Sequence, residues 1–152
     1  MSDRILKSYI VTGGTRGLGF SIAKELAEST RSEVVLAVRD MERGAAAAAE
    51  MGKNVSAKEM DMGSSSSVEK FLNDWKKPLA GRVNNAGVQI VDATRFTDED
   101  GYEETFAINH LYAVKLTIGL LGRLRGGRVL FIGSGTHIPK NRTATIFGFR
   151  GA

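Results

Sequence analysis

A chain of 152 residues fits one domain with a buried core, and 42% apolar and 25% charged residues exclude wholesale disorder. The net charge of +4 comes from scattered Lys and Arg, without a basic run interleaved with aromatics, so nucleic-acid binding has no support. There is no cysteine, which excludes disulfides, zinc thiolates and thiol nucleophiles, and His110 and His137 have no ligand set beside them.

Residues 8–13, SYIVTG, read as a buried strand. Leu18, Ile22 and Leu26 then recur every fourth residue with Ala23 and Ala27 beside them, a helical face running to about Ser29. EVVLAV at 33–38 is an uninterrupted apolar run, the pattern of a strand covered on both faces. RGAAAAAEMG predicts a helix from alanine propensity, ended by Gly52, and NVSAKEMDM gives a weaker strand signal. Ser66 and Glu69 have the spacing of a capping box, opening a helix over VEKFLNDWKK that Pro78 closes.

The stretch PLAGRVNNAG leaves only Val83 next to the asparagine pair, too little for a central strand at about 3.3 Å per residue. A long helix is expected from about Asp98, with Leu111, Val114, Ile118 and Leu121 on one face. GRVLFIG at 127–133 is the last strong strand. The βαβαβαβαβ order predicts an α/β fold, a Rossmann-type doubly wound parallel sheet of about five strands wrapped by helices on both faces. The expected partition is a dinucleotide-binding domain over residues 1–139 and an irregular tail over 140–152. MSDRILKSYIV is too polar for a secretory signal, and LYAVKLTIGLLG is interrupted by Lys115 and too short to span a membrane, so a cytoplasmic protein is expected.

The loop VTGGTRGLG sits where a strand hands over to a helix, the place where backbone N–H groups and the positive helix end attract a phosphate. Its glycines are spaced Gly13, Gly17, Gly19, and a tight turn that binds nothing is the plain alternative. About 20 residues beyond such a loop, the second strand's end meets the adenosine ribose, and an acid there favours NAD. Here the strand ends in Val38-Arg39, and a guanidinium matches the 2′-phosphate of NADP(H), with Arg16 able to reach it from the loop. Asp40, one residue later, pulls the other way, towards a ribose hydroxyl.

These motifs resemble those of the short-chain dehydrogenases/reductases. TGGTRGLG is similar to the family's cofactor loop, NNAG at 84–87 to its motif after the fourth strand, FAINHL to the helix bearing its catalytic Asn, and RVLFIGSG to the strand ending at its catalytic Ser. AVRD and GSGTHIP resemble variants in members related to retinol dehydrogenases and protochlorophyllide reductase. The resemblance implies that Gly13, Thr15, Arg16, Gly17, Leu18 and Gly19 wrap pyrophosphate and ribose, that Arg39 takes the 2′-phosphate, and that Asp61 and Met62 line the adenine. It implies Asn85, Ala86 and Gly87 beside the riboses, Asn109 holding a proton-relay water, and Ser134 bonding the carbonyl of a small carbonyl or alcohol substrate.

The family's Tyr-x-x-x-Lys pair is absent: Tyr9, Tyr102 and Tyr112 lack Lys four residues on. The expectation is therefore the NADP(H)-binding part of an oxidoreductase, inactive alone and lacking later strands and helices. The alternatives are a non-catalytic NADP(H)-binding regulatory or partner-binding module, and a chain that does not fold. In the first reading RVLFI becomes an apolar edge strand and the 98–121 helix keeps an open apolar face, which favours aggregation or pairing, homo-oligomers included.

Overall fold

The structure is a computed structural model that describes residues 8–30, 32–90 and 94–134. Five parallel strands form one sheet in the order β3-β2-β1-β4-β5: β1 Ser8–Thr12, β2 Glu33–Val38, β3 Val55–Glu59, β4 Leu79–Asn84 and β5 Leu124–Phe131. The helices between them are α1 Gly17–Thr30, α2 Met41–Met51 and α3 Ser65–Asp74. A last helical stretch comprises α4 Glu104–Phe106, a π turn Ala107–Leu111 and α5 Tyr112–Leu120.

Alternation along β2 explains its unbroken apolar run. Val34, Leu36 and Val38 pack with Ala23, Ala27, Ala47, Ala48 and Met51 of α1 and α2. Val35 and Ala37 face the opposite cluster, in which Ile10 and Leu79 meet Val68 and Phe71 of α3 and Tyr112, Leu116 and Leu120 of α5. Apolar clusters thus cover β2 on both faces, as the inside of a parallel sheet requires.

Two helices present a different row from the one their periodicity suggests. In α1, Leu18 is 57% exposed while Gly19, Ala23 and Ala27 lie against the sheet. In the last helical stretch, Ile118 and Leu121 are 63% and 54% exposed, and Ile108, Tyr112, Leu116 and Leu120 point inward. Each helix carries two adjacent apolar rows; one is buried, and the other packs at its margin, with Ile22, Leu26 and Leu111 partly buried against the two cores. The same helical stretch starts at Glu104 rather than near Asp98. Gly101 has φ 67°, Phe96 bridges Glu103, and the Glu103 carboxylate accepts from the N–H groups of Thr105 and Phe106 at 2.9 and 2.6 Å.

The cap of α3 is Ser64, not Ser66: its hydroxyl accepts from Ser67 N at 3.1 Å, and the helix ends at Asp74, short of Lys77. Among four consecutive serines, spacing to a glutamate does not identify the one at the turn.

The fourth strand is present, which corrects the expectation that it is too short. It spans six residues, of which Leu79, Gly81, Arg82 and Val83 pair with β1 and the same four and Asn84 pair with β5, with a register shift beside Ala80 on each side. A Cβ on Gly81 would stand 3.0 Å from the Tyr9 ring, so glycine is needed for that approach. Arg82 and Asn84 are buried in it, where their side chains hydrogen-bond to each other, and two polar residues in six hide the strand from a hydropathy reading. β5 forms the edge, and Leu130 and Phe131 are 49% and 50% exposed there, as expected for an apolar margin.

Candidate functional site

The carboxyl ends of β1 and β4 meet where the strand order reverses, the position at which open α/β sheets bind ligands. Thr12, the last residue of β1, ties the two ends together. Its hydroxyl accepts from the N–H groups of Asn85 and Ala86, both at 3.0 Å, and donates to Val83 O at 3.4 Å. The Asn85 amide in turn donates to the carbonyls of Thr12 and Gly13 at 3.1 and 3.0 Å. Asn85 thus staples the glycine loop to the NNAG turn, a different task from direct contact with a ribose.

Glycine at 19 follows from that staple. A Cβ there would overlap the Asn85 amide nitrogen and the Gly13 carbonyl, and one on Gly13 would stand 2.9 Å from Ala86 Cα. These two glycines let the loop pack against the NNAG turn, while Gly17, with nothing within 4 Å of a Cβ, leaves open space at the start of α1.

A cleft of about 750 Å³ runs across these strand ends. Gly13, Thr15, Arg16, Gly17, Leu18, Gly19, Arg39, Asp61, Met62, Asn85, Ala86 and Gly87 all line it. Arg16 and Arg39 border one cavity, and Arg43, which the sequence reading did not single out, joins them. Asp40 caps α2: it accepts from Arg43 N at 3.0 Å and pairs with Arg43 Nε at 3.2 Å. Only a helix boundary, with Asp three residues before an Arg, could have indicated that pairing.

The opposite wall is the turn after β3. The Asp61 carboxylate accepts from Gly63 N at 2.8 Å, its N–H donates to Ser67 Oγ at 2.9 Å, and Met62 is buried behind it. Val88, Ile108 and Gly63 also line the cleft, and none carried a sequence signal.

Asn109 and Ser134 do not line the cleft. Asn109 lies one layer out in the π turn, its amide engaged at both ends by Val88: Nδ2 donates to Val88 O at 2.7 Å and Oδ1 accepts from Val88 N at 2.8 Å. Ser134 is exposed beyond the end of β5. His137, Pro139 and the 140–152 tail lie outside the described residues. Tyr112 and Lys115 are occupied elsewhere. Burial pushes the Tyr112 phenol up and its hydroxyl donates to Asp100 at 2.8 Å, while Lys115 Nζ donates to Ser65 Oγ and Glu69 at 2.6 Å each. Among the described residues no helix is long and apolar enough to cross a membrane.

A doubly wound parallel sheet with a glycine-lined cleft at its switch point is the architecture of the nucleotide-binding α/β proteins. The family model described as short chain dehydrogenase matches residues 7–145. The chain belongs to the short-chain dehydrogenase family of oxidoreductases. It is 36% identical to polyprenol dehydrogenase of Danio rerio over 146 residues, covering 86% of this chain and 44% of that protein. With human (Homo sapiens) retinol dehydrogenase 13 the identity is 34% over 143 residues, covering 87% and 42%. Among solved structures, the RhlG/NADP active-site complex of Pseudomonas aeruginosa superimposes with a TM-score of 0.74 at 27% identity, over 88% of this chain and 57% of that one. The chain thus spans less than half the length of these two curated relatives.

Proposed function

We propose that this chain is the NADP(H)-binding part of a short-chain oxidoreductase acting on a carbonyl or alcohol. The observation that carries the reading is that Arg16 and Arg39 line one cleft, on which Asp40 is engaged by the cap of α2 and by Arg43. An aspartate engaged by its own helix and by Arg43 is a poor acceptor for a ribose hydroxyl, whereas exposed guanidinium groups suit a 2′-phosphate. The cradle fits the rest of the dinucleotide, since Gly17, at the start of α1, has open space in front of it on the cleft, where a pyrophosphate would meet the first backbone N–H groups of the helix. Solved relatives in complex with NADP or NADPH support the same class of cofactor.

When bound, the cofactor supplies or accepts the hydride. Asp61 and Met62 form the adenine wall, Ala86 and Gly87 flank the riboses, and Asn85 holds the loop around the pyrophosphate. Asn109 acts as a positioning residue, through the Val88 backbone. The family resemblance assigns Ser134, just beyond β5, the donation to a substrate carbonyl. Within these 152 residues no tyrosine has the lysine that lowers its pKa, so the proton donor must come from elsewhere and the chain by itself does not turn over substrate.

Fluorescence titration with NADPH and NADH tests the proposal. Tighter binding of NADPH is expected; equal affinities would remove the assignment of Arg39, and carbonyl reduction by the purified chain would refute the account of the missing proton donor.

A further inference from the structure

Glu99 lies in the loop between β4 and α4, 35 and 33 positions after Ser64 and Ser66, yet its carboxylate grips the turn that forms the cleft's far wall. Oε1 accepts from the hydroxyls of Ser64 and Ser66 at 2.6 and 2.8 Å, and Oε2 accepts from Ser66 N at 2.7 Å. The hydrogen bonds from Ser64, the Ser66 backbone and the Ser66 hydroxyl hold its carboxyl below the ordinary range, so it is ionised at neutral pH.

The gripped serines continue directly into the wall. Ser64 N donates to Asp61 O at 3.3 Å, and Ser67 Oγ accepts from Asp61 N at 2.9 Å. The other side of the same turn meets the last helical stretch, where a Cβ on Gly63 would lie 3.7 Å from Ile108 Cδ1. Asp100, next to Glu99, fastens its loop to Tyr112 at 2.8 Å. The turn is therefore clamped from outside by a loop that is itself anchored to α5.

We infer that Glu99 is a positioning residue for the adenosine half of the cofactor, setting the Asp61–Gly63 wall through Ser64 and Ser66; this rests on the cofactor reading above. Glu99 does not line the cleft, and the glycine loop is held by the separate bonds of Thr12 and Asn85. Its removal should weaken only ligands that use the adenine end.

The test compares wild type, Glu99→Ala and Glu99→Gln for binding of adenosine 2′,5′-bisphosphate and of reduced nicotinamide mononucleotide, with amide hydrogen exchange on the same proteins. Glu99→Ala should weaken the bisphosphate about tenfold, the scale of one lost charge-assisted hydrogen bond. The mononucleotide should be unaffected, exchange at Gly63 and Ser66 should accelerate, and Glu99→Gln should recover part of each effect. Unchanged bisphosphate affinity, equal loss of both probes, or unchanged exchange at Gly63 and Ser66 would each overturn the inference while leaving the cofactor reading intact. A wild-type chain that binds neither probe would overturn both.

Discussion

The guanidinium of Arg82, in the middle of β4, donates to the hydroxyl of Thr117 on α5 at 3.0 Å. It also donates to Asn84 Oδ1, while its Nε is buried without a partner. Among the described residues no carboxylate pairs with it. Burial pushes its pKa down, to about 9, which leaves the group charged at neutral pH with its desolvation cost in force. Arg82→Met should therefore stabilise the chain by about 1–3 kcal/mol, the range seen when buried ions give way to packed apolar groups. Denaturant midpoints at constant m-value measure this; a lower midpoint would mean that the Thr117 and Asn84 bonds outweigh the desolvation.

Arg39 and Asp40 make separable predictions. Arg39→Asp should weaken NADPH about 10- to 100-fold relative to NADH, from loss of one or two charge-assisted bonds. Asp40→Ala should lower stability by about 1 kcal/mol through loss of the α2 cap. It should leave the NADPH to NADH ratio unchanged; a shift of that ratio towards NADPH would show that Asp40 reads the ribose after all.

Gly19→Ala places a methyl against the Asn85 amide and the Gly13 carbonyl. Overpacking of this kind destabilises by about 1–3 kcal/mol, and the loop must shift to relieve it. Thermal unfolding together with NADPH titration should report both losses. Full affinity in Gly19→Ala would show that the loop does not shape the cofactor site.

Glu33 joins the start of β2 to β1 and to the segment before β4. Burial raises its pKa, but hydrogen bonds from Lys77 and Ser8 outweigh that, so the carboxyl stays below its ordinary value of 4.5. A depressed folded pKa contributes stability that is present above the unfolded value and lost as pH falls through the folded one. Glu33→Gln should thus lower stability at pH 7 by less than about 1 kcal/mol, since the pair is partly solvated. The difference from wild type should vanish in acid, and a gap that persists below pH 3 would point to packing instead.

Much of this arrangement was readable in the chain itself. Alternating apolar runs and helical stretches gave the parallel sheet, and the twelve cofactor positions carried over from the family motifs meet on one cleft. What escaped was decided by contacts distant in sequence. Ala23 and Ala27 form the centre of the buried face of α1, Ile22 and Leu26 its margin, and only Leu18 of the expected face is turned out. Arg82 obscured a strand whose other residues are ordinary, because its polar partners come from Asn84 and from a helix 35 positions away. Glu99 had no local signal, since its partners stand more than 30 positions earlier.

The bonds among Thr12, Gly13, Asn85 and Ala86 have a thermodynamic corollary. They fix the glycine loop by contacts internal to the protein, so the proposed capture of a dinucleotide there demands little further ordering of the main chain. Calorimetry should accordingly find association without the large unfavourable entropy that accompanies coupled folding.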